Sequence, residues 1–278
     1  LISTLMLAFS LNALHASQDK VQVKLRIQAP SGNLDEATVY FDHGIQPAYD
    51  FQQDAEKIFS GVSGVPHIYT LTDDNIKCSI NGYNEFNNSQ VVSVGVKVDA
   101  NGTYILNASQ LLNVDETSIV RLEDRDLNIF HDLRMGAYQA TIQANDPETG
   151  RFFIHVSYPT QFNSTPAGCA NDDGIINVRP DNTITWTLCN LYDANNNQLG
   201  SQFNFNTNID FNALPEGTYQ LVMAYNNYTV SKNIAVKGTA ITASINTITQ
   251  YVSVGEQLDF HAVTVNASQF EWDFGDGT

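Results

Sequence analysis

The chain has 278 residues, 42% hydrophobic and 15% charged, with 13 Lys+Arg against 30 Asp+Glu and a formal net charge of −17. That length accommodates two or three domains of ordinary size, and the apolar share is too high for a disordered chain. The acidic field repels phosphate backbones and anionic lipid, which argues against nucleic-acid and membrane-surface roles. It leaves divalent cations as a compatible charged ligand, with a plain anionic, solubilising surface as the simpler account.

The first stretch, LISTLMLAFSLNALHAS (residues 1–17), is an apolar run ending in Ala13-Leu14-His15-Ala16. It has the character of a secretory h-region with a small-residue cleavage site, and it is too short to cross a bilayer comfortably. It has neither an initiator Met nor a basic n-region, so a start within the leader is expected; an amphipathic first element is the competing reading.

Beyond the leader, period-two alternation dominates. VQVKLRI (21–27), VVSVGVKV (91–98), SIVRLED (118–124), FFIHVSY (152–158) and TITWTL (183–188) are rich in β-branched and aromatic residues and bounded by Gly, Asn, Asp or Pro. No window sustains a 3.6-residue period. The one credible helical piece is DFQQDAEKIF (50–59), with Asp50 as its cap. Three tripeptides, Gly102-Thr103-Tyr104, Gly136-Ala137-Tyr138 and Gly217-Thr218-Tyr219, each lead into an alternating strand. This is the pattern of a tyrosine corner, with the ring buried and the hydroxyl bonded to backbone. The expected fold is all-β: tandem antiparallel β-sandwich (Ig-like) domains.

YPTQFNSTPAG (158–168) and VKGTA (236–240) punctuate the chain as linkers. They divide it into a signal-peptide-like segment 1–17, an N-terminal β-sandwich at 18–160, a second at 161–238, and a last segment at 239–278. About forty residues rarely bury a sandwich core alone, so the last domain is expected to be incomplete. Of the three cysteines, Cys78 reads as a small apolar core residue. Cys169 and Cys189 fall in one predicted domain, either closing a disulfide loop worth about 3 kcal/mol or remaining two buried thiols. No C-x-x-C motif is present. Trp186 and Trp272 sit inside alternating strands and read as core residues.

Catalytic motifs are scarce: there is no G-x-S-x-G elbow, H-E-x-x-H, P-loop or G-x-G-x-x-G. The serine of GVSG (61–64) has the wrong glycine spacing for an elbow. The neighbours His131-Asp132 and Asp42-His43 would point to opposite faces of a strand and cannot pair directly. Calcium is the sharper possibility, since hard cations want clustered carboxylate and carbonyl oxygens on loops. DANNNQLG (193–200) starts like a calcium loop with Asp193, Asn195 and Asn197. Gln198 replaces the required glycine, however, and Asn204 replaces the bidentate glutamate, so the stretch reads as a hairpin turn. Asp42, Asp50 and Asp54 form the remaining candidate, expected to bind calcium and pin their loop; capping and solvated acids are the alternative.

Three resemblances follow from longer stretches. VSVGEQLDF (252–260) with Trp272, Asp273, Phe274, Gly275, Asp276 and Gly277 resembles the first half of a polycystic-kidney-disease (PKD) domain, an immunoglobulin-like sandwich. Its later partner motifs are expected past the last residue. Asp273 and Asp276 read there as turn residues bonded to local backbone. CANDDGIINV (169–178) through LPEGTYQLVM (214–223) is similar to repeat modules of Bacteroidetes cell-surface proteins, without their usual Gly-Gly-x-x-Pro-Tyr stretch. VYFDHG (39–44), AYDFQQDAEKI (48–58), PHIYTL (66–71) and residues 121–156 resemble a module of secreted proteins of the same group, often found before a type IX sorting domain. Where that module has Ala-Thr-x-Gly-Phe-Asp, this chain has Ile45-Gln46-Pro47-Ala48-Tyr49-Asp50. Together these resemblances imply an exported, multidomain, secreted or cell-surface protein and no particular reaction. The expected role is non-catalytic: adhesion, binding or assembly of a surface structure. Its partner would be an extracellular protein, a glycan or further copies of the chain, without a direct membrane span. The alternative is a set of accessory modules of a secreted hydrolase whose catalytic domain lies downstream.

Overall fold

The computed structural model describes residues 20–168, 172–239, 242–247, 253–255, 260–265 and 271. The leader segment, Cys169, and the signature residues Trp272, Asp273, Gly275, Asp276 and Gly277 lie outside the described residues. Among the described residues every regular element is a strand, so the fold is all-β. The chain forms two compact units. One comprises the described residues up to Thr160 with Pro180–Thr185 and Asn226–Val230; the other comprises the described residues of Gln161–Arg179, Trp186–Tyr225 and those from Ser231 on.

The first unit holds eleven strands: β1 (Val21–Gln28), β2 (Leu34–Phe41), β3 (Ala55–Glu56), β4 (His67–Leu71), β5 (Lys77–Tyr83), β6 (Gln90–Lys97), β7 (Gly102–Leu112), β8 (Val120–Asp124), β9 (Ile129–Asp132), β10 (Tyr138–Ile142) and β11 (Phe152–Val156). They form one sheet in the order β10-β7-β1-β2-β5-β4-β6-β11-β8-β9, with β3 added to β5. Alternation turns Val23, Leu25 and Ile27 of β1 inward. They share one core with Tyr138, Ala140 and Ile142 of β10 and with Val120, Leu122, Phe152 and Ile154 of β8 and β11. Strands from opposite ends of the sheet thus bury their side chains together, so the sheet curls towards a barrel.

Two features differ from the sequence reading. The sheet is mixed, because β2 and β5 pair in parallel from Thr38↔Ile80 to Phe41↔Tyr83. A parallel pair needs a crossover rather than a hairpin, and the segment carrying β3 and β4 supplies it. The expected helix over 50–59 is a single turn followed by a strand. The amides of Gln53 and Asp54 donate to the Asp50 carbonyl at 2.9 and 2.7 Å. Ala55 then pairs with Ile80, and sheet pairing wins because one isolated turn is a costly nucleus.

From Gln161 the chain continues with β12 (Gln161–Thr165), β13 (Gly174–Arg179), β14 (Trp186–Tyr192), β15 (Gln198–Phe205), β16 (Ile209–Leu214), β17 (Gly217–Tyr225) and β18 (Tyr228–Val236). They make two sheets, β12-β13-β16 and β15-β14-β17-β18. Ile176 and Val178 on one sheet, and Trp186, Leu191, Leu221 and Met223 on the other, are buried, the arrangement of a small sandwich. Beyond Thr239, β19 (Thr242–Thr247) pairs antiparallel with β20 (Phe260–Val265).

Two of the three tyrosine tripeptides are corners. The Tyr104 hydroxyl donates to the Ala100 carbonyl and that of Tyr219 to the Pro215 carbonyl, each at 2.7 Å. Tyr138 departs from the expectation: its hydroxyl donates to the Asp124 carboxylate at 2.9 Å. Asp124 is buried and also receives a two-pronged hydrogen bond from Arg151, Nε at 3.0 Å and Nη2 at 2.8 Å. A buried carboxylate needs every lone pair satisfied, and Tyr138 serves that need instead of the local backbone.

Candidate ligand-binding site

The most developed polar constellation lies on the outer face of the first unit, over β4, β5 and β6. Alternation along β4 sends Ile68 into the core and His67 and Tyr69 outward. Tyr69 stands opposite Gly95 of β6 and His67 opposite Lys97. A Cβ on Gly95 would lie 2.0 Å from the Tyr69 ring, so only glycine lets that ring lie flat across the sheet. Tyr69 is thereby wholly buried although it points away from the core.

Glu148 reaches this face from the loop between β10 and β11, whose backbone is fastened by the Val96 amide donating to the Glu148 carbonyl at 2.8 Å. Its carboxylate accepts from the Tyr69 hydroxyl at 2.9 Å, from Lys77 Nζ at 2.5 Å and from Lys97 Nζ at 3.0 Å. Lys77 first, with Lys97 and Tyr69 behind it, pulls the Glu148 carboxyl down to about 2 against the resistance of burial. Burial and then the neighbouring Glu148 push the Tyr69 hydroxyl well above its usual range. Phe59 closes the cluster edge-on to His67 and Tyr69, with ring centroids 5.2 and 5.7 Å away. Lys77 and Lys97 each stand 5.4 Å from its ring centre.

Two open recesses flank Lys97. One, of 220 Å³, is lined by Ser60, Val62, Ser63, His67, Lys97 and Asp99. The other, of 300 Å³, is lined by Lys97, Gln143, Asn145, Asp146 and Glu148. Asp99 shapes the first by accepting from the Ser63 hydroxyl at 2.8 Å and the Gly64 amide at 2.7 Å. Hydroxyls, amides, a Lys–Glu–Lys group with one positive charge in excess and a partly exposed aromatic ring suit hydrogen bonding and stacking against a polar ligand.

The three aspartates expected to bind calcium each have partners within the protein. Asp42 forms an ion pair with Lys20 at 2.9 Å and accepts the His43 amide at 2.8 Å, and Lys20 holds its carboxyl below the ordinary range. Asp50 accepts the Gln52 amide at 2.9 Å. Asp54 accepts the Asp50 amide at 2.8 Å and the Gly82 amide at 2.7 Å. All three lie around Tyr40, whose hydroxyl is pushed up to about 12 by burial and then by the charges of Asp54, Asp42 and Asp50. That hydroxyl donates to the Gln53 carbonyl at 2.7 Å. The carboxylates are thus brought near one tyrosine while their oxygens turn to a lysine and to backbone amides. Among the described residues, no group of three or more His, Cys, Asp or Glu side chains is placed to hold a metal ion.

The loop at 193–197 is the hairpin turn its sequence indicates. The Asp193 carboxylate accepts the amides of Asn195 and Asn197 at 2.9 and 2.7 Å, and Asn196 takes a left-handed φ of 64°. Cys189 is a buried free thiol, as is Cys78, and burial pushes each up to about 12. His131 Nε2 lies 3.1 Å from the Gly136 carbonyl, whereas Asp132 accepts the Arg134 amide at 2.9 Å, so these sequence neighbours keep separate partners.

The Tyr69–Glu148 constellation is absent from the sequence reading, because its members are 79 positions apart and carry no local motif. Gly95, inside the alternating strand Gln90–Lys97, is the one signal that marks a close approach there.

No family model matches the chain, and no curated protein matches it either. Among the described residues no helix is long and apolar enough to cross a membrane.

Proposed function

We propose that the chain is part of an exported, non-catalytic surface protein whose β-units present a binding face for adhesion or for assembly of an extracellular structure. The leader-like segment and the PKD-like ending support export and modularity. The observation that carries the non-catalytic reading is the state of Glu148. Three donors hold it ionised far below neutral pH, whereas a general acid or base works best with a pKa near the operating pH. Glu148, which lines the recess beside Asn145 and Asp146, therefore positions Tyr69, Lys77 and Lys97 rather than moving protons.

The shallow, amide- and hydroxyl-lined recesses beside Phe59 favour a glycan over an apolar ligand. The same observation supports a second reading, an accessory carbohydrate-binding module of a secreted hydrolase. A glycan array probed with the full chain tests both: binding to defined polysaccharides that is lost in Phe59→Ala and Lys97→Ala supports a glycan ligand at this face. No signal on any glycan removes the carbohydrate reading and leaves protein partners, which a self-association assay then addresses. Sequencing the gene downstream separates the two hosts, since a catalytic domain there supports the hydrolase and further sandwich repeats support the adhesive stalk.

A further inference from the structure

Lys57 lies just beyond β3, where its amide donates to the Lys77 carbonyl at 2.8 Å. Its side chain is only 3% exposed and runs inward to the carboxylate of Asp35, near the start of β2. Burying an ammonium costs several kcal/mol unless a partner compensates, and among the described residues Asp35 is the only carboxylate paired with it. The same Asp35 oxygen accepts the Ile68 amide at 2.8 Å, which fixes the carboxyl plane. His67 Nδ1 stands 3.9 Å from that oxygen, itself buried under the Phe59 ring. A lysine amine, an aspartate carboxyl carbon and an imidazole are thus held together, the amine and the ring buried and the carboxyl side chain 22% exposed.

We infer that Lys57 and Asp35 condense into an intramolecular isopeptide bond that covalently ties the β3 segment to β2. The step balances without any external reagent. Lys57 Nζ passes one proton to the Asp35 carboxylate, giving the neutral amine and acid, and then attacks Cγ. The C–N bond forms, His67 relays a second Nζ proton to the departing hydroxyl, the C–O bond breaks, and one water leaves. One hydrogen remains on the amide nitrogen. Fixing the two groups side by side, with the amine buried, supplies the effective concentration that such a condensation needs. The bond would close the excursion between β2 and β4, which β3 holds by a strand of only two residues. A covalent tie there suits a protein that carries mechanical load.

Trypsin reads the outcome on the full chain. Cleavage after Arg26, Lys57 and Lys77 releases residues 27–57 and 58–77 when Lys57 is free. Acylated Lys57 is not a trypsin site, so the bonded chain yields residues 27–77 as one species, lighter by one water, with fragment ions joining Asp35 to Lys57. Lys57→Arg is expected to restore both cleavage and full mass, and Asp35→Ala to restore cleavage after Lys57. His67→Phe is expected to slow accumulation of the joined species at least several-fold in a time course after synthesis. Recovery of free 27–57 at full mass from the wild-type chain overturns the inference. So does loss of water with cleavage after Lys57 retained, which marks a cyclic imide on a single aspartate.

Discussion

Gly95→Ala is the sharpest perturbation of the candidate site. The new methyl would lie 2.0, 2.2 and 2.7 Å from Cε2, Cζ and Cδ2 of Tyr69, far inside van der Waals contact, and the glycine φ is not in the left-handed region, so the clash alone sets the effect. Either the strands part or the Tyr69 ring swings out. Overpacking of this kind costs about 1–3 kcal/mol, and loosening a hydrogen bond to a charged group adds part of a further 1.5–3 kcal/mol. The sum is about 3–4 kcal/mol, equivalent to roughly 10 °C in melting temperature for a unit of this size. Scanning calorimetry of the full chain measures it on the first unit's transition, and a double-mutant cycle isolates the cause. In a Tyr69→Ala background the ring is gone, so Gly95→Ala should be neutral or stabilising by about 0.5–1 kcal/mol through backbone entropy. The coupling should then be about 3 kcal/mol, well above the scatter of independent sites. An equal cost in both backgrounds, or a wild-type cost below about 1 kcal/mol, would refute the stacked geometry and with it the way Tyr69 delivers its hydroxyl to Glu148.

Glu148 has a folded-state value of about 2 against an ordinary 4.5. Its stabilisation is therefore fully present above pH 4.5 and lost as pH falls through about 2. With Lys77 and Lys97 partly exposed, this amounts to about 1 kcal/mol, so the stability cost of Glu148→Gln in urea titrations should shrink between those two pH values. Tyr138→Phe removes a hydrogen bond to a buried carboxylate and should cost about 2 kcal/mol, against about 1 kcal/mol for Tyr104→Phe or Tyr219→Phe, which lose a neutral bond; equal costs would contradict the distinction. Asp124→Ala takes from the Arg151 cation, 12% exposed, its buried partner and leaves it Asp126 at 3.4 Å and Asp146 at 3.8 Å, so a loss of about 3 kcal/mol, the low end for a broken buried pair, is expected in the same titration. Peptide-resolved iodoacetamide labelling at pH 8 should leave Cys78 and Cys189 unmodified in the folded chain and modify both in urea, because burial raises both thiols to about 12. Rapid native labelling of either would contradict that burial.

Much of the fold was legible locally. Val21–Gln28 and Phe152–Val156 alternate so regularly that strand and buried face both follow from side-chain period, and both appear as read. The Gly-x-Tyr signal held for Tyr104 and Tyr219, whose partners lie four residues upstream. It failed for Tyr138, whose partner Asp124 becomes available only when β10 and β8 face one core. The stretch 50–59 shows the same limit: its polar, helix-compatible composition forms one turn, and pairing with β5 takes the rest. Asp42, Asp50 and Asp54 were legible as neighbouring acids, but the direction of each carboxylate was not, since Lys20 and the Gly82 amide are distant in sequence.

The sequence by itself determined the all-β class, the buried faces of the strands and the local turn at Asp193, because each depends on contacts within a few residues or on a two-residue period. Tertiary structure decided the parallel β2–β5 pairing, the Asp124–Arg151–Tyr138 group, the Tyr69–Glu148–Lys77–Lys97 face and the meeting of Lys57 with Asp35. Those depend on which distant segments share a sheet and on where a buried charge must find its counter-charge, and neither leaves a mark in local periodicity.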